Sequence, residues 1–484
     1  MGEFTGNRIL GPSPSGVVAF FLQVVALFSR FSSRGAQMHS PRLVLAVSFA
    51  ILTLVVVNTR QVAVSAAQEP RLERDAEPPF DCGGARCDAI ARGFHAFFDR
   101  QLPGLEGNGR ACADCHVATD SFQLSPADVE QRFQNLMSRR AVNRHADDPL
   151  FRPIDADDFR TDGDDARDFS NLRQNGLVRI VFSLPSNMRV VDPATGGLSD
   201  VADVWRMVPS INNVAISGPD LGSPWFRPPN AFGGYQLDAR VGTLQEQALG
   251  ALINHAQVQQ SPSERLLDDL ASFELVQFSS DPVRVLANAI RDGLTPPDID
   301  PPLTELEQQG KVVFERACTQ CHGGAGQTTA QLPVPRFQDI NTQCPRPVDT
   351  VVPARWQFAP CPSRLARNAR TYKIDGVAEL RTSDDPGRAL LTGFVGGPAP
   401  RDDWNKLDVP QLRGISKTAP YFHNNSADTL EDVVDHYIAF FTRLQALTAP
   451  GAPPPPPTTT DGVHFDRRPL PEERDALLAY LRTL

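Results

Sequence analysis

Cys112-Ala113-Asp114-Cys115-His116 and Cys318-Thr319-Gln320-Cys321-His322 are two copies of one pattern, 206 positions apart (322 minus 116). Two thiols three positions apart on a single turn of chain reach the two vinyl groups of one porphyrin. The histidine that follows is then held under the iron. A zinc site would need a second cysteine pair nearby, and a thioredoxin-like dithiol has no use for the trailing histidine. Two covalently bound c-type haems are expected, attached at Cys112 and Cys115 and at Cys318 and Cys321. His116 and His322 would be the proximal iron ligands.

Four of the eight cysteines remain, and they lie close in pairs: Cys82 with Cys87, and Cys344 with Cys361. An even number left over suits two structural disulfides in an oxidising compartment. The amino terminus points to such a compartment. Met38-His39-Ser40-Pro41-Arg42 precedes the apolar run Leu43–Val57, and Ala63-Val64-Ser65-Ala66-Ala67-Gln68 follows it. A basic stretch, an apolar stretch and small residues in that order read as a secretory signal peptide from Met38 to about Ala66. Residues 1–37 would be upstream sequence, and the mature chain would begin near Ala67 or Gln68 in the periplasm. An amino-terminal anchor is the alternative.

The 484 residues carry 47 basic and 57 acidic side chains, a net charge of −10, which disfavours general binding to a phosphate backbone. At 41% hydrophobic and 21% charged residues the chain can bury a core, and neither of the two amino-terminal apolar runs, Val17–Phe28 and Leu43–Val57, reaches the ~20 residues of a membrane span. The 43 prolines, against a usual share of about 5%, predict much loop. The dense segments are Asp147–Asp168, Leu332–Pro362 and Pro453–Pro457.

Further segments repeat in the order of the haem motifs. Val208-Pro209-Ser210-Ile211-Asn212-Asn213-Val214 is answered by Val409-Pro410-Gln411-Leu412-Arg413-Gly414-Ile415, and Thr243-Leu244-Gln245-Glu246-Gln247 by Thr429-Leu430-Glu431-Asp432-Val433. Both threonines read as N-caps of apolar-periodic helices. Helical periodicity also marks Ser263–Phe278, Leu303–Arg316 and Pro471–Thr483. The expected fold is all-α, two cytochrome c-like domains joined in tandem with long Pro-rich loops. The divisions are a leader over 1–67, a first haem domain over 68–285 and a second over 286–484.

Function turns on the second axial face of each iron. A strong ligand there makes an electron-transfer haem, and a vacant face lets peroxide or dioxygen bind. The last of the five methionines is Met207, so candidates over the second haem are His423, His436 and Tyr437. Tyr437 lies eight residues after Thr429, and Ala251 eight after Thr243. By the repeat, Tyr437 would close the second haem while Ala251 leaves the first one open, lined by Gln247, Gln257 and His255.

These residues resemble the bacterial di-haem cytochrome c peroxidases and their relative MauG, over roughly residues 90–445. The most specific pieces are the haem motifs, Val-Pro-Gln-Leu-Arg-Gly-Ile at 409–415, Thr-Ala-Pro-Tyr-Phe-His at 418–423 and the helix from Thr429 to Tyr437. The resemblance implies a peroxide-handling first haem, an electron-relaying second haem and a cofactor-binding role for His423. In the peroxidases a methionine lies fourteen residues after that histidine, and in MauG a tyrosine does. Here the position is Tyr437 (423 plus 14). Gln247 matches the family's distal glutamine, but Ala251 replaces a proline and Gln257 replaces the acid–base glutamate. A glutamine cannot shuttle a proton, so His255 would have to substitute. Leu237 stands in place of the tryptophan between the haems. Met207 stands at the side-chain ligand of an inter-haem calcium, where it cannot serve, although Thr418 and Pro420 could still offer carbonyls.

The leading expectation is an exported peroxidase-type oxidoreductase. Its electrons would come from a small cytochrome c or cupredoxin, and it could form a homodimer. The alternatives are a di-haem electron carrier without peroxidase activity and a dioxygenase like the related rubber oxygenases.

Overall fold

The computed structural model describes residues 87–152, 169–217, 234–328, 337–347, 357–396, 402–447 and 471–484. The expected signal segment, Cys82, the acidic run 155–168 and the polyproline stretch 453–457 lie outside them. Helix α1 (Cys87–Phe98) buries Ile90, Gly93 and Phe97, the i, i+3, i+7 stripe that a packed helix needs. Helix α2 (Pro126–Val142) follows the first haem motif, with the Ser125 hydroxyl accepting from the Asp128 amide. Strands β1 (Leu177–Ser183), β2 (Met188–Val191), β3 (Leu198–Ser199) and β4 (Val201–Met207) come next. Then come α3 (Leu244–Asn254), α4 (Glu264–Glu274), α5 (Asp281–Arg291) and α6 (Glu305–Ala317). Thr243, Ser263 and Thr304 cap α3, α4 and α6, and Thr304 forms a full capping box with Glu307. Strands β5 (Phe337–Gln338), β6 (Arg370–Ile374), β7 (Arg381–Ser383) and β8 (Leu407–Asp408) precede α7 (Leu430–Leu447) and α8 (Arg474–Leu481).

Helices α1 and α4 cross at Gly93, where a Cβ would stand 1.9 Å from the Asp269 carbonyl oxygen. Phe97 and Phe273, one turn on in each helix, meet at 5.0 Å between ring centroids. Helices α6 and α8 repeat this crossing at Gly310, 1.9 Å from the Ala476 carbonyl oxygen, with Phe314 and Tyr480 at 5.4 Å. Beyond each crossing the chain is tied the same way. The Asn213 amide donates to Gln277 O (2.8 Å) and the Gly414 amide to Leu484 O (2.6 Å). The isolated bridges Tyr235–Val241 and Tyr421–Ala427 lead into α3 and α7 alike. The duplication read in the sequence is therefore a duplication of geometry.

The all-α expectation is corrected. The described residues contain eight strands, and the order β3-β2-β6-β7 joins strands from before α3 with strands from beyond α6 in a single sheet. Strand β2 pairs antiparallel with β6 in the register Met188↔Ile374 to Val191↔Thr371. Strands β1 and β4 form their own pair, Leu177↔Met207 to Ser183↔Val201. Their β-branched residues, Val178, Ile180, Val181, Val201 and Val204, favour a pleated, half-buried surface over a helix. The described residues fall in one compact unit.

The sheet sits over a buried charge cluster. Arg206 donates through Nη1 to Asp238 (2.6 Å) and through Nε and Nη2 to Asp385 (2.6 and 2.9 Å), all three side chains being at most 1% exposed. The expected disulfide Cys344–Cys361 is present, and Cys87 is also disulfide-bonded.

Candidate haem-binding sites

The first motif opens on a tight turn, Cys112–Asp114, in which the amides of Cys115 and His116 both donate to the Cys112 carbonyl (3.1 and 2.9 Å). Asp114 clamps it: its carboxylate accepts from the Ala111 amide (2.8 Å), Arg100 (2.7 Å) and Arg132 (2.5 Å). Burial pushes this acid up, but Arg132 and Arg100 outweigh burial and hold it below the usual range. His116 Nδ1 donates to the Phe122 carbonyl (3.0 Å), so the proton is on Nδ1 and Nε2 keeps its lone pair. Burial lowers His116 to about 4, which favours the neutral, metal-ligating imidazole.

The second motif is built alike from a different start. Cys318 caps the carboxy terminus of α6, its amide donating to Phe314 O (2.8 Å). The Cys321 and His322 amides return to the Cys318 carbonyl (3.1 and 2.8 Å). His322 Nδ1 donates to the Pro410 carbonyl (3.0 Å), the Pro of the second Val-Pro turn, and burial lowers it to about 4. All four motif cysteines are free thiols. Burial pushes Cys318 up to about 12 and Cys321 to about 11. Unbridged thiols spaced for vinyl groups, beside histidines whose Nδ1 is held by a backbone carbonyl, fit a covalent haem at each motif.

Tyr437 lies on α7, packed on the cluster that contains Phe314, Leu430, Val434 and Leu481 and is flanked by Cys318. Its hydroxyl is driven above the phenol range by burial first, then by the Cys321 and Cys318 thiols, so the phenol lies within electrostatic reach of both thiols. The two rival histidines are engaged elsewhere. His436 Nε2 donates to Ile340 O (2.7 Å) with its ring between Phe358 and Phe422. His423, also buried, places Nδ1 at 3.2 Å from Thr342 Oγ1 and Nε2 at 4.0 Å from Asp384. In the first half, Gln247 and Ala251 lie on α3 and His255 is its C-cap residue. His255 stands near enough to His116 to help lower its pKa, after burial. Gln257 is exposed, at φ +50°, and accepts from Asn108 Nδ2 (3.3 Å).

Two reciprocal hydrogen bonds join the halves at equivalent positions: Met207 N–H to His423 O (2.7 Å) and Asp408 N–H to Leu237 O (2.8 Å). The residues around the expected calcium position do not fit a cation. The Met207 side chain packs on the apolar cluster of Leu177, Trp205, Cys344 and Leu365. The amide Nε2 of Gln123 donates to the Ala419 carbonyl (2.8 Å), a neutral tether where a cation would gather oxygens. Among the described residues no three His, Cys, Asp or Glu side chains are grouped to hold a metal ion. Chelation by EDTA is expected to leave the thermal unfolding midpoint within about 1 °C; a larger drop restored by calcium would contradict the tether.

A curated relative, the cytochrome-c peroxidase IdrP2 of Denitromonas iodatirespirans, is 28% identical over 138 residues, 28% of this chain and 32% of its own. The chain resembles the bacterial di-haem cytochrome c peroxidases over that stretch. The aligned part spans about a third of that peroxidase's length. No family model matches the chain. A MauG-like protein associated with microbial copper homeostasis aligns over 86% of this chain and 95% of its own, at 19% identity and a TM-score of 0.38. The diheme peroxidase BthA of Burkholderia thailandensis aligns over 82% and 86%, at 19% and 0.40. Kuenenia stuttgartiensis hydrazine synthase aligns over 86% and 96%, at 16% identity and a TM-score of 0.34. No helix of the described residues is long and apolar enough to cross a membrane.

Sequence reasoning missed Glu274, a buried carboxyl beside Cys112. The signal lay in the repeat, where Leu481 is its counterpart, but reading it required the helix crossing.

Proposed function

We propose that the chain is an exported, periplasmic di-haem c-type oxidoreductase of the peroxidase type, with two cytochrome c-like haem units. It would reduce hydrogen peroxide at the haem of Cys112, Cys115 and His116 and relay electrons through the haem of Cys318, Cys321 and His322. The carrying observation is the inequality at one repeated position: Ala251 in the first half, Tyr437 in the second, the latter packed with Cys318 on one apolar cluster and within electrostatic reach of both thiols. The haem irons supply the redox chemistry when bound. The protein's own residues set the access. Tyr437 offers a phenolic oxygen to the second iron, whereas Ala251 offers nothing to the first. Gln247 can hydrogen-bond a bound peroxide, and Gln257, exposed and tied to Asn108, cannot move a proton. His255, at the end of α3 and within electrostatic reach of His116, is an imidazole that could. A small cytochrome c or cupredoxin would supply the electrons.

The nearness of His255 to His116 also supports a second reading, in which His255 caps the first iron and the protein is an electron carrier. Paramagnetic resonance of the ferric holoprotein separates them. One high-spin and one low-spin haem are expected, and Tyr437→Phe should abolish or shift the low-spin signal alone. Two low-spin haems, with the first converted to high-spin by His255→Ala, would establish the carrier instead. A low-spin signal unchanged in Tyr437→Phe would remove Tyr437 as a ligand.

A further inference from the structure

The matched helix crossings show where the halves part company. Phe273 and Tyr480 are equivalent, and the next residue is Glu274 in the first half and Leu481 in the second. Leu481 is an ordinary core side chain in the cluster that holds Cys318 and Tyr437. Glu274 puts a carboxyl in the corresponding place, 5% exposed, at the end of α4. Its carboxyl oxygens make no hydrogen bond or ion pair among the described residues, and burial alone raises the group to about 8. Its charge reaches the Cys112 thiol, which is pushed up first by burial and then by Glu274.

The charges on the elements around it are committed elsewhere. On α1, Arg92 is bidentate to Asp269 of α4 (2.8 and 2.8 Å) and carries the field of Asp88. His95, at the end of α1, is not among the groups acting on Glu274. On α3, Glu246 accepts from the Gly242 amide, and Asp268 of α4 accepts from Gln245. Asp114 of the motif is held by Arg100 and Arg132. Glu264 and Arg265, at the far end of α4, complete the set, and none of these groups shifts Glu274.

We infer that Glu274 is the proton-carrying group of the first haem, protonated when that haem is reduced and ionised when it is oxidised. An electron added beside a buried carboxylate in a low-dielectric site is repelled by it. Electron and proton therefore favour each other's arrival, and by linkage the effect is reciprocal. Reduction of hydrogen peroxide to two waters consumes two electrons and two protons, so one proton can travel with one of the electrons. At the matched position the second half has Leu481 in place of an acid. The inference rests on reading Cys112–His116 as a haem site.

The test is a potentiometric titration of the holoprotein between pH 5 and pH 10, followed at each haem by its spectrum, for wild type, Glu274→Gln and Glu274→Leu. In wild type the first haem is expected to show a window in which its potential falls by one proton per electron, while the second haem does not. Both variants should lose that window at the first haem and leave the second unchanged. Glu274→Leu borrows the residue that the other half already tolerates. A first haem that keeps the wild-type slope in either variant overturns the inference. So does a wild-type infrared difference spectrum lacking a protonated-carboxyl band that disappears on oxidation, a measurement needing no variant. Two low-spin haems with the Glu274-dependent slope intact would sink the peroxide reading and leave this one standing. A high-spin first haem with a flat slope would do the reverse.

Discussion

Gly310→Ala is expected to destabilise the protein by at least about 3 kcal/mol, more than removing a single buried methylene would. In a solvent-exposed helix the same change would be a gain of up to about 1 kcal/mol, because alanine loses less backbone freedom than glycine on folding. Here the added Cβ would lie 1.9 Å from the Ala476 carbonyl oxygen and 2.8 Å from Tyr480 Cβ. Neither neighbour can swing aside, since one is main chain and the other is the root of a buried ring. Helices α6 and α8 would have to separate by roughly 1.5 Å, loosening the Phe314–Tyr480 contact and every dispersion contact along the seam. Because Cys318 is the next residue after α6, covalent haem at the second motif should fall with stability. Gly250, in α3 with open space where its Cβ would stand, is the control, and Gly250→Ala should be neutral or stabilising. Urea unfolding of both variants measures the difference, and a Gly310→Ala protein within about 0.5 kcal/mol of wild type would show that the helices do not cross this closely.

The second large effect concerns Arg206. Arg206→Met keeps the side chain's length and removes the charge, and should cost about 3–5 kcal/mol at pH 7 by stranding a buried carboxylate. Asp385 is the stranded one. Without Arg206 its carboxylate keeps only the Gly387 amide (2.8 Å), whereas Asp238 still has Arg240 (2.7 Å). The pH dependence follows from the same pair. Burial pushes Asp385 up, but the Arg206 guanidinium wins and holds it below its ordinary value. The stability from that pairing is present above the unfolded carboxyl range, near 4, and is lost as pH falls through the lower folded value. The gap between wild type and Arg206→Met should thus narrow below about pH 4. Adding Asp385→Asn to Arg206→Met should recover more stability than adding Asp238→Asn. Equal recovery, or none, would mean that the cluster is not organised around Asp385.

What could be read from the chain beforehand has a physical boundary. Short-range devices were legible: the Cys-x-x-Cys-His turns, the threonine caps at Thr243 and Thr429, and the repeated order of segments, because each is written within a few residues. Strands β1 and β4 went unread for a different reason. Arg179 and Arg206 interrupt their apolar runs, and Arg206 is buried only because acids 32 and 179 residues away neutralise it. Glu274 was invisible on the same ground. An acid after Phe273 at a helix end looks like a solvated cap until α1 is laid across α4. Tyr437 could be singled out as a candidate because the duplication supplied a second copy for comparison. His436, its neighbour, could be assigned to the core only once Ile340 and two phenylalanine rings were seen around it.

The sheet that joins β2 to β6 also constrains how the protein comes into being. Strand Met188–Val191 must wait for residues 371–374 before its second edge is covered. A chain threading outward from its amino terminus would hold that edge open while nearly two hundred further residues emerge, a long interval for an unpaired strand. On the proposed function, attachment of a porphyrin at the first motif would not have to wait, since the two thiols, the histidine and the Phe122 carbonyl all fall within eleven residues of one another (122 minus 112, plus one). Haem loading there would then precede closure of the sheet, and cutting the gene between the repeats would release a half with a sticky border.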